Sequence, residues 1–275
     1  MEKGKNMQET EDAKLLKSQQ AKAQKRAGFT EDERFLAPRG RVEDFTRTDT
    51  WRIFRIISEF VEGFEMLAEL GPAVTIFGSA RTPEDHPMYE AAVEVSKRLA
   101  EKGLGIITGG GPGIMEAGNK GAKKGDGLSV GLNIELPFEQ HLNPYADISL
   151  QFHYFFVRKT LFLKYASAFV IFPGGFGTMD ECFESLTLIQ TGKVKNFPVV
   201  LFGSDYWSGL MDWVKNTMLK KGNISEGDLD LMIISDSVED TVDHIVSSLQ
   251  EDSERQKREE GAREATRKAY NKNRD

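Results

Sequence analysis

Cysteine occurs once in this 275-residue chain, at Cys182, so no internal disulfide can brace the fold and a reducing compartment is expected. Histidine is almost as scarce. His86, His141, His153 and His244 are scattered without the short spacings of metal ligands, so no zinc site is expected. A basic excess is lacking too. The formal charge is −7, whereas a nucleic-acid surface usually shows clustered positive charge, so no nucleic-acid partner is expected. No apolar leader opens the chain and no apolar run could span a bilayer, which points to a cytoplasmic protein without a membrane partner. Two nucleotide signatures are also missing. No Gly-Lys-Ser/Thr run is present, which excludes a P-loop ATPase. The dinucleotide fingerprint fails because Gly111-x-Gly113 and Gly175-x-Gly177 are followed by Glu116 and Asp180 where the third glycine belongs.

What the chain does have is apolar content for a core, 39% of residues, concentrated between polar ends. The expected organisation is a polar arm over 1–48, one domain over 49–250 and a charged tail over 251–275. Trp51, Phe54, Ile57, Phe60, Val61, Phe64 and Leu67 recur at helical spacing and mark an amphipathic helix, packed on the domain or on a partner subunit. Beyond it, short apolar runs at 73–77, 104–108, 128–134, 148–152, 168–172, 198–202 and 232–235 read as strands. Helical patterns at 88–102, 113–124, 158–166, 178–191, 206–221 and 238–250 separate most of them. Continuously apolar strands alternating with helices imply an α/β fold. It is a single doubly wound, Rossmann-like parallel sheet with helices on both faces and polar helical extensions.

Such sheets bind ligands beyond the carboxyl ends of their strands. Three strand ends here carry unusual loops: Gly78-Ser79-Ala80-Arg81, Gly109-Gly110-Gly111-Pro112-Gly113 and Pro173-Gly174-Gly175-Phe176-Gly177-Thr178. Glycine lets backbone approach a ligand closely, and N–H groups at a following helix start form an anion site. One such loop could be an ordinary tight turn. Three converging loops favour a phosphate, and a mononucleotide fits them better than NAD. Ser79, Gly110, Gly111, Gly174, Gly175, Gly177 and Thr178 are the binding candidates, with Arg81 beside Ser79.

Carboxylates follow both long loops. Thr178-Met179-Asp180-Glu181 can be a capping box, with Thr178 as the cap and Glu181 returning a bond. It can also place a carboxylate beside the sugar of a bound phosphate ester. Glu116 is either a favourable acid in a first helical turn or a ligand for ribose or base. Arg158 and Lys159 open a predicted helix, where cations oppose the dipole, which suggests a purpose beyond solvation and makes Lys159 a further substrate- or phosphate-binding candidate. Cys182 has no paired base and reads as a small buried side chain.

The motifs Gly109-Gly-Gly-Pro-Gly-Ile-Met-Glu-Ala117 and Pro173-Gly-Gly-Phe-Gly-Thr-Met-Asp-Glu181 resemble those of the LOG (Lonely Guy) family. Members of that family were long labelled "possible lysine decarboxylase". The pattern P-G-G-x-G-T-x-x-E is met in full, and Arg158-Lys159 stands where the family carries its basic pair. The resemblance runs from about Trp51 to Gln250 and implies a nucleoside 5′-monophosphate phosphoribohydrolase. Such an enzyme releases the base from AMP or a cytokinin riboside 5′-monophosphate and leaves ribose 5-phosphate. By motif, Arg158 and Glu181 match catalytic residues, Gly174, Gly175, Gly177 and Thr178 the phosphate loop, and Glu116 an acid of the nucleotide pocket. The resemblance also implies a homo-oligomer, dimer or larger, with sites shared between subunits. No metal or cofactor is expected, and a decarboxylase would need a pyridoxal-binding lysine that this sequence does not nominate. The competing class is a carrier of a nucleotide or phosphorylated cofactor, like the molybdenum-cofactor carriers, which would need no Glu181.

Overall fold

Four-residue apolar runs without polar alternation are satisfied by burial on both faces, and the chain uses them in that way. A computed structural model of the protein describes residues 30–36, 49–136, 142–194 and 197–272. Among them, seven strands form one sheet: β1 (Ala73–Phe77), β2 (Gly105–Thr108), β3 (Ser129–Ile134), β4 (Ile148–Phe152), β5 (Ala168–Ile171), β6 (Val199–Phe202) and β7 (Ile233–Ser235). Their order is β4-β3-β2-β1-β5-β6-β7, and every pairing is parallel. Each expected strand is present, differing by at most one residue at an end. The doubly wound α/β class is therefore observed.

The α-helices of the described residues are α1 (Glu31–Leu36), α2 (Asp49–Met66), α3 (Pro87–Glu101), α4 (Ile114–Lys124), α5 (Phe155–Tyr165), α6 (Phe176–Gln190), α7 (Ser204–Trp213) and α8 (Val238–Lys272). Strand side chains alternate between two cores. In β5, Phe169 and Ile171 join Leu67, Leu161, Phe162 and Trp207 on one face. Ala168 and Val170 join Tyr89, Leu99, Ile114 and Ile245 on the other. Helices therefore cover both faces, as the apolar pattern required.

Several expected boundaries move. The helix predicted to begin at Arg158 starts at Phe155, and the one predicted from Thr178 starts at Phe176. The last helix does not stop at residue 250 but continues to Lys272. The pattern expected over 206–221 divides into α7 and a π-helical turn, Val214–Leu219. The apolar stripe of α2 is only partly used. Leu67 is fully buried just past the helix, but Phe54, Ile57 and Val61 stay more than half exposed, while Arg52 and Glu59 are buried.

Winding reverses between β1 and β5. Strands β2, β3 and β4 extend outward on one side of β1, and β5 returns to pair with its other side, Val74 against Ala168 through Phe77 against Ile171. Loops leaving β1 and β5 diverge at this point and open a crevice between them. The Ser79 N–H donates to the Pro173 carbonyl at 3.0 Å and ties the two loops together. The candidate site lies there.

Candidate active site

A cleft of about 610 Å³ opens at the carboxyl ends of β1, β2 and β5. That volume suits a small organic ligand. The β1 loop lines it from Gly78 to Arg81, the β2 loop contributes Gly109, α4 contributes Met115, and α6 with its cap contributes Gly175, Phe176, Gly177, Thr178 and Glu181. Helix α5 adds Phe155, Arg158 and Phe162. Sequence distance is thus closed by the sheet, which brings residues a hundred positions apart to one opening.

The start of α6 decides what the cleft can hold. Its cap position is Gly175, which offers no side-chain cap, and Thr178 sits inside the first turn rather than before it. The capping-box alternative is therefore overturned, because a residue already in the helix cannot cap it. A helix start without a side-chain cap leaves backbone N–H groups for an anion, favoured by the helix dipole. Gly175 and Gly177 have open space where a Cβ would stand, so the loop is uncovered on that side.

Glu181 lies one turn further along α6 and is only 4% exposed. Its Oε2 is buried without a hydrogen-bond partner. Burial pushes its carboxyl up to about 7, against the lowering pull of Arg158 and Lys159. A carboxylate poised near neutrality is suited to exchange protons at physiological pH. Across the cleft, the Arg158 guanidinium rests over the rings of Phe155 and Phe162, 5.0 and 5.5 Å from their centroids. Its Nε is buried and unpartnered. Burial draws its pKa down from the usual value, opposed first by the charge of Glu181. Both residues line the cleft, and each keeps a buried polar atom without a partner. Such atoms are costly to bury unless a ligand meets them.

Other sequence candidates are placed differently. Lys159 does not line the cleft: its ammonium pairs with Asp180 and Glu184 at 2.9 Å each. Glu116 also lies outside the lining and accepts the Tyr89 hydroxyl at 3.0 Å. Gly174 sits behind the loop, where its carbonyl accepts the Tyr206 hydroxyl at 2.5 Å. Gly110 and Gly111 are buried in the β2 loop, their carbonyls accepting from the Asn143 backbone N–H and side-chain amide at 2.9 and 3.0 Å. Ser79 does line the cleft, and its Oγ accepts the Arg81 N–H at 3.0 Å.

A polar network fixes the β2 loop. The fully buried Asn119 accepts from Thr108 Oγ1 at 2.5 Å and from the Asn143 amide at 2.9 Å, and donates to Ser129 Oγ and the Val130 carbonyl. Gly110 can follow only because its φ is +68° and Gly131 of β3 presses on it, leaving no room for a side chain. Sequence reasoning missed Asn119 and Asn143, as well as the aromatic seat of Arg158. Phe155 and Phe162 flank Arg158 at i−3 and i+4, a spacing that could have revealed that seat.

Of the four histidines, His86 caps α3 by accepting the Met88 N–H, and His153 pairs with Glu59 at 2.8 Å. His244 lies in α8, and His141 falls outside the described residues. Among the described residues no cluster of three His, Cys, Asp or Glu could hold a metal, and no helix is long and apolar enough to cross a membrane. Cys182 is buried and its thiol pushed up to about 12, which makes it inert.

Residues 115–245 match the family described as "Possible lysine decarboxylase". A probable cytokinin riboside 5′-monophosphate phosphoribohydrolase of Oryza sativa, LOG4, is 30% identical over 168 residues, covering 58% of this chain and 69% of that protein. The chain belongs to the LOG family. Another LOG-type relative, a cytokinin riboside 5′-monophosphate phosphoribohydrolase of Mycobacterium tuberculosis, is 28% identical over 165 residues, 59% of this chain and 88% of its own. Among solved structures, a structural genomics target superposes with a TM-score of 0.50 at 22% identity, covering 64% of this chain and 99% of its own. That likeness concerns the fold alone. At the level of the family, the LOG assignment supports phosphoribohydrolase chemistry.

Proposed function

We propose that the protein hydrolyses the N-glycosidic bond of a nucleoside 5′-monophosphate, AMP or a cytokinin riboside 5′-monophosphate, to the free base and ribose 5-phosphate. The observation that carries this reading is Glu181, a buried carboxyl with an unpartnered oxygen one turn beyond an anion-ready helix start. Relatives named cytokinin riboside 5′-monophosphate phosphoribohydrolase support it.

In this reading the 5′-phosphate sits against the backbone of Gly175, Gly177 and Thr178, with Ser79 and Arg81 closing from the β1 loop. Its binding energy orients the ribose over Glu181. As the bond from C1′ to the base nitrogen breaks, positive charge grows on the sugar ring, and the Glu181 carboxylate stabilises it. The same carboxylate takes a proton from the attacking water, whose oxygen bonds to C1′. The departing base takes a proton from solvent, and Glu181 gives the proton it accepted back to solvent, so the carboxylate is restored. Arg158 keeps its own proton far too tightly to serve as that donor, so its contribution is electrostatic, toward the phosphate or the leaving base.

The reading includes a cytoplasmic homo-oligomer. Ile53, Phe54, Ile57 and Val61 leave more than half of each side chain exposed on one helix, an unusual surface for a lone subunit. Light scattering tests it, with a monomer as the contrary result.

Incubation with AMP, followed by chromatography, tests the chemistry. Adenine and ribose 5-phosphate are expected from the wild type and strongly reduced in Glu181→Gln and Arg158→Ala. Nucleotides that bind but stay intact, across AMP and cytokinin nucleotides, would replace this reading with that of a carrier.

A further inference from the structure

Helix α5 carries Arg158 into the cleft but lacks the means to start itself. Its cap position is Tyr154, whose side chain makes no capping bond, and its first turn holds no acid. It also places Arg158 and Lys159 near its positive end, which the dipole disfavours. An uncapped helix start is a weak point, since its first N–H groups have no partners inside the helix.

The missing acceptors come from elements that precede the sheet in the chain. Glu59 of α2 takes the His153 N–H through both oxygens at 3.2 Å and faces the next N–H, that of Tyr154. Asp32 of α1 takes the following one, the Phe155 N–H, at 3.2 Å. Helix α1 is held there by further contacts. Phe35 packs on the rings of Tyr154 and Phe156, and the Arg52 guanidinium lies over Phe35. Glu31 bonds the Tyr154 hydroxyl and pairs with Arg55. The Asp32 carboxylate also attracts Arg158 electrostatically.

We propose that Asp32, at the start of α1, is a positioning residue for the cleft, capping α5 from outside so that Arg158 is held at its working place. The N-terminal segment thereby has a function: it completes the helix that carries the arginine. An acid at this point serves twice, as acceptor for the Phe155 N–H and as a negative charge that offsets Arg158 against the dipole. This inference rests on the reading of Arg158 as part of the hydrolytic site.

The test uses the full chain with Asp32→Ala, Asp32→Asn and, as a control, Leu36→Ala, an exposed residue of the same helix. Asparagine keeps an acceptor and is itself a good helix cap. AMP hydrolysis is resolved into kcat and KM, and hydrogen–deuterium exchange is followed at residues 153–158. Asp32→Ala is expected to lower kcat about five- to tenfold, the size to which loss of one cap converts. KM should stay within about twofold, because the phosphate contacts on α6 are untouched. Exchange at the start of α5 should quicken, Asn should restore most of both effects, and Leu36→Ala should resemble wild type. Unchanged kcat in Asp32→Ala, a change confined to KM, or an Asn variant as impaired as Ala would each overturn the proposal. If the wild type cleaves no nucleotide, the hydrolase reading fails separately. Exchange then decides the cap, and unaltered exchange at 153–158 overturns it.

Discussion

Glu181 and Arg158 face one cleft from neighbouring helices and perturb each other's ionisation, yet they make no salt bridge, and each retains a buried polar atom without a partner. A closed pair would satisfy both and leave nothing for a substrate. The guanidinium instead rests over the rings of Phe155 and Phe162, and both residues line the cleft. Such unspent polarity is costly in a stable core and characteristic of a binding site.

Glu181→Gln keeps the shape of the side chain and removes the charge. Under the proposed chemistry kcat should fall about 10²- to 10⁴-fold, with nucleotide affinity little changed. Because the carboxylate form is required, wild-type kcat/KM should rise with pH through about 7, and the residual activity of the variant should lack that limb. A full set of rates against pH checks both.

The same residue gives a stability signature. Its folded pKa, about 7, stands above the ordinary value of 4.5, so between those values the folded protein holds a proton that the unfolded chain has lost. Stability therefore falls as pH rises through this window, by about 3 kcal/mol in full, and is level above it. Glu181→Gln removes the effect. The variant should match wild type most closely near pH 4.5 and exceed it in thermal midpoint at pH 8. A difference that does not grow with pH would contradict the assignment.

Adjacent glycines should respond in opposite ways. A side chain at Gly174 collides with Thr178, so Gly174→Ala should destabilise the fold by about 1–3 kcal/mol. Gly175 has open space and an extended backbone, so Gly175→Ala should fold normally. If phosphate rests against that backbone, KM for AMP should nonetheless rise about tenfold, a loss of roughly 1.4 kcal/mol of binding. Thermal melts and steady-state kinetics on both variants separate the two effects.

Asn119→Ala deletes the centre of the network beneath the β2 loop. Thr108, Ser129 and Asn143 would lose partners together, and a cost of about 3 kcal/mol is expected. Urea titration of the two proteins reads it directly.

Much of this architecture was open to inspection in one dimension. Strand runs such as Ala168–Ile171 are apolar throughout, as a sheet covered on both faces requires, and the fold buries them in that way. The glycine loops were equally plain in residue type and spacing, whereas Glu181 could also be read as half of a capping box, and its candidacy for catalysis came from the family resemblance. Helix starts were less so. Phe155 and Phe176 carry no starting signal, since one start is capped from a distant element and the other is left open at the cleft.

Residue order thus sufficed for the class of fold, which follows from periodicity, and for the glycine loops, which follow from local backbone demand, while the family resemblance of the motifs nominated Glu181 and Arg158. Folding in three dimensions settled which candidates share the opening. It sent Lys159 to Asp180 and Glu184, turned Glu116 toward Tyr89, and buried Gly110 and Gly111 in a brace of asparagines. It also joined Asp32 to Phe155 across 123 positions. Partners so far apart along the chain are selected by packing and desolvation, which no local pattern encodes.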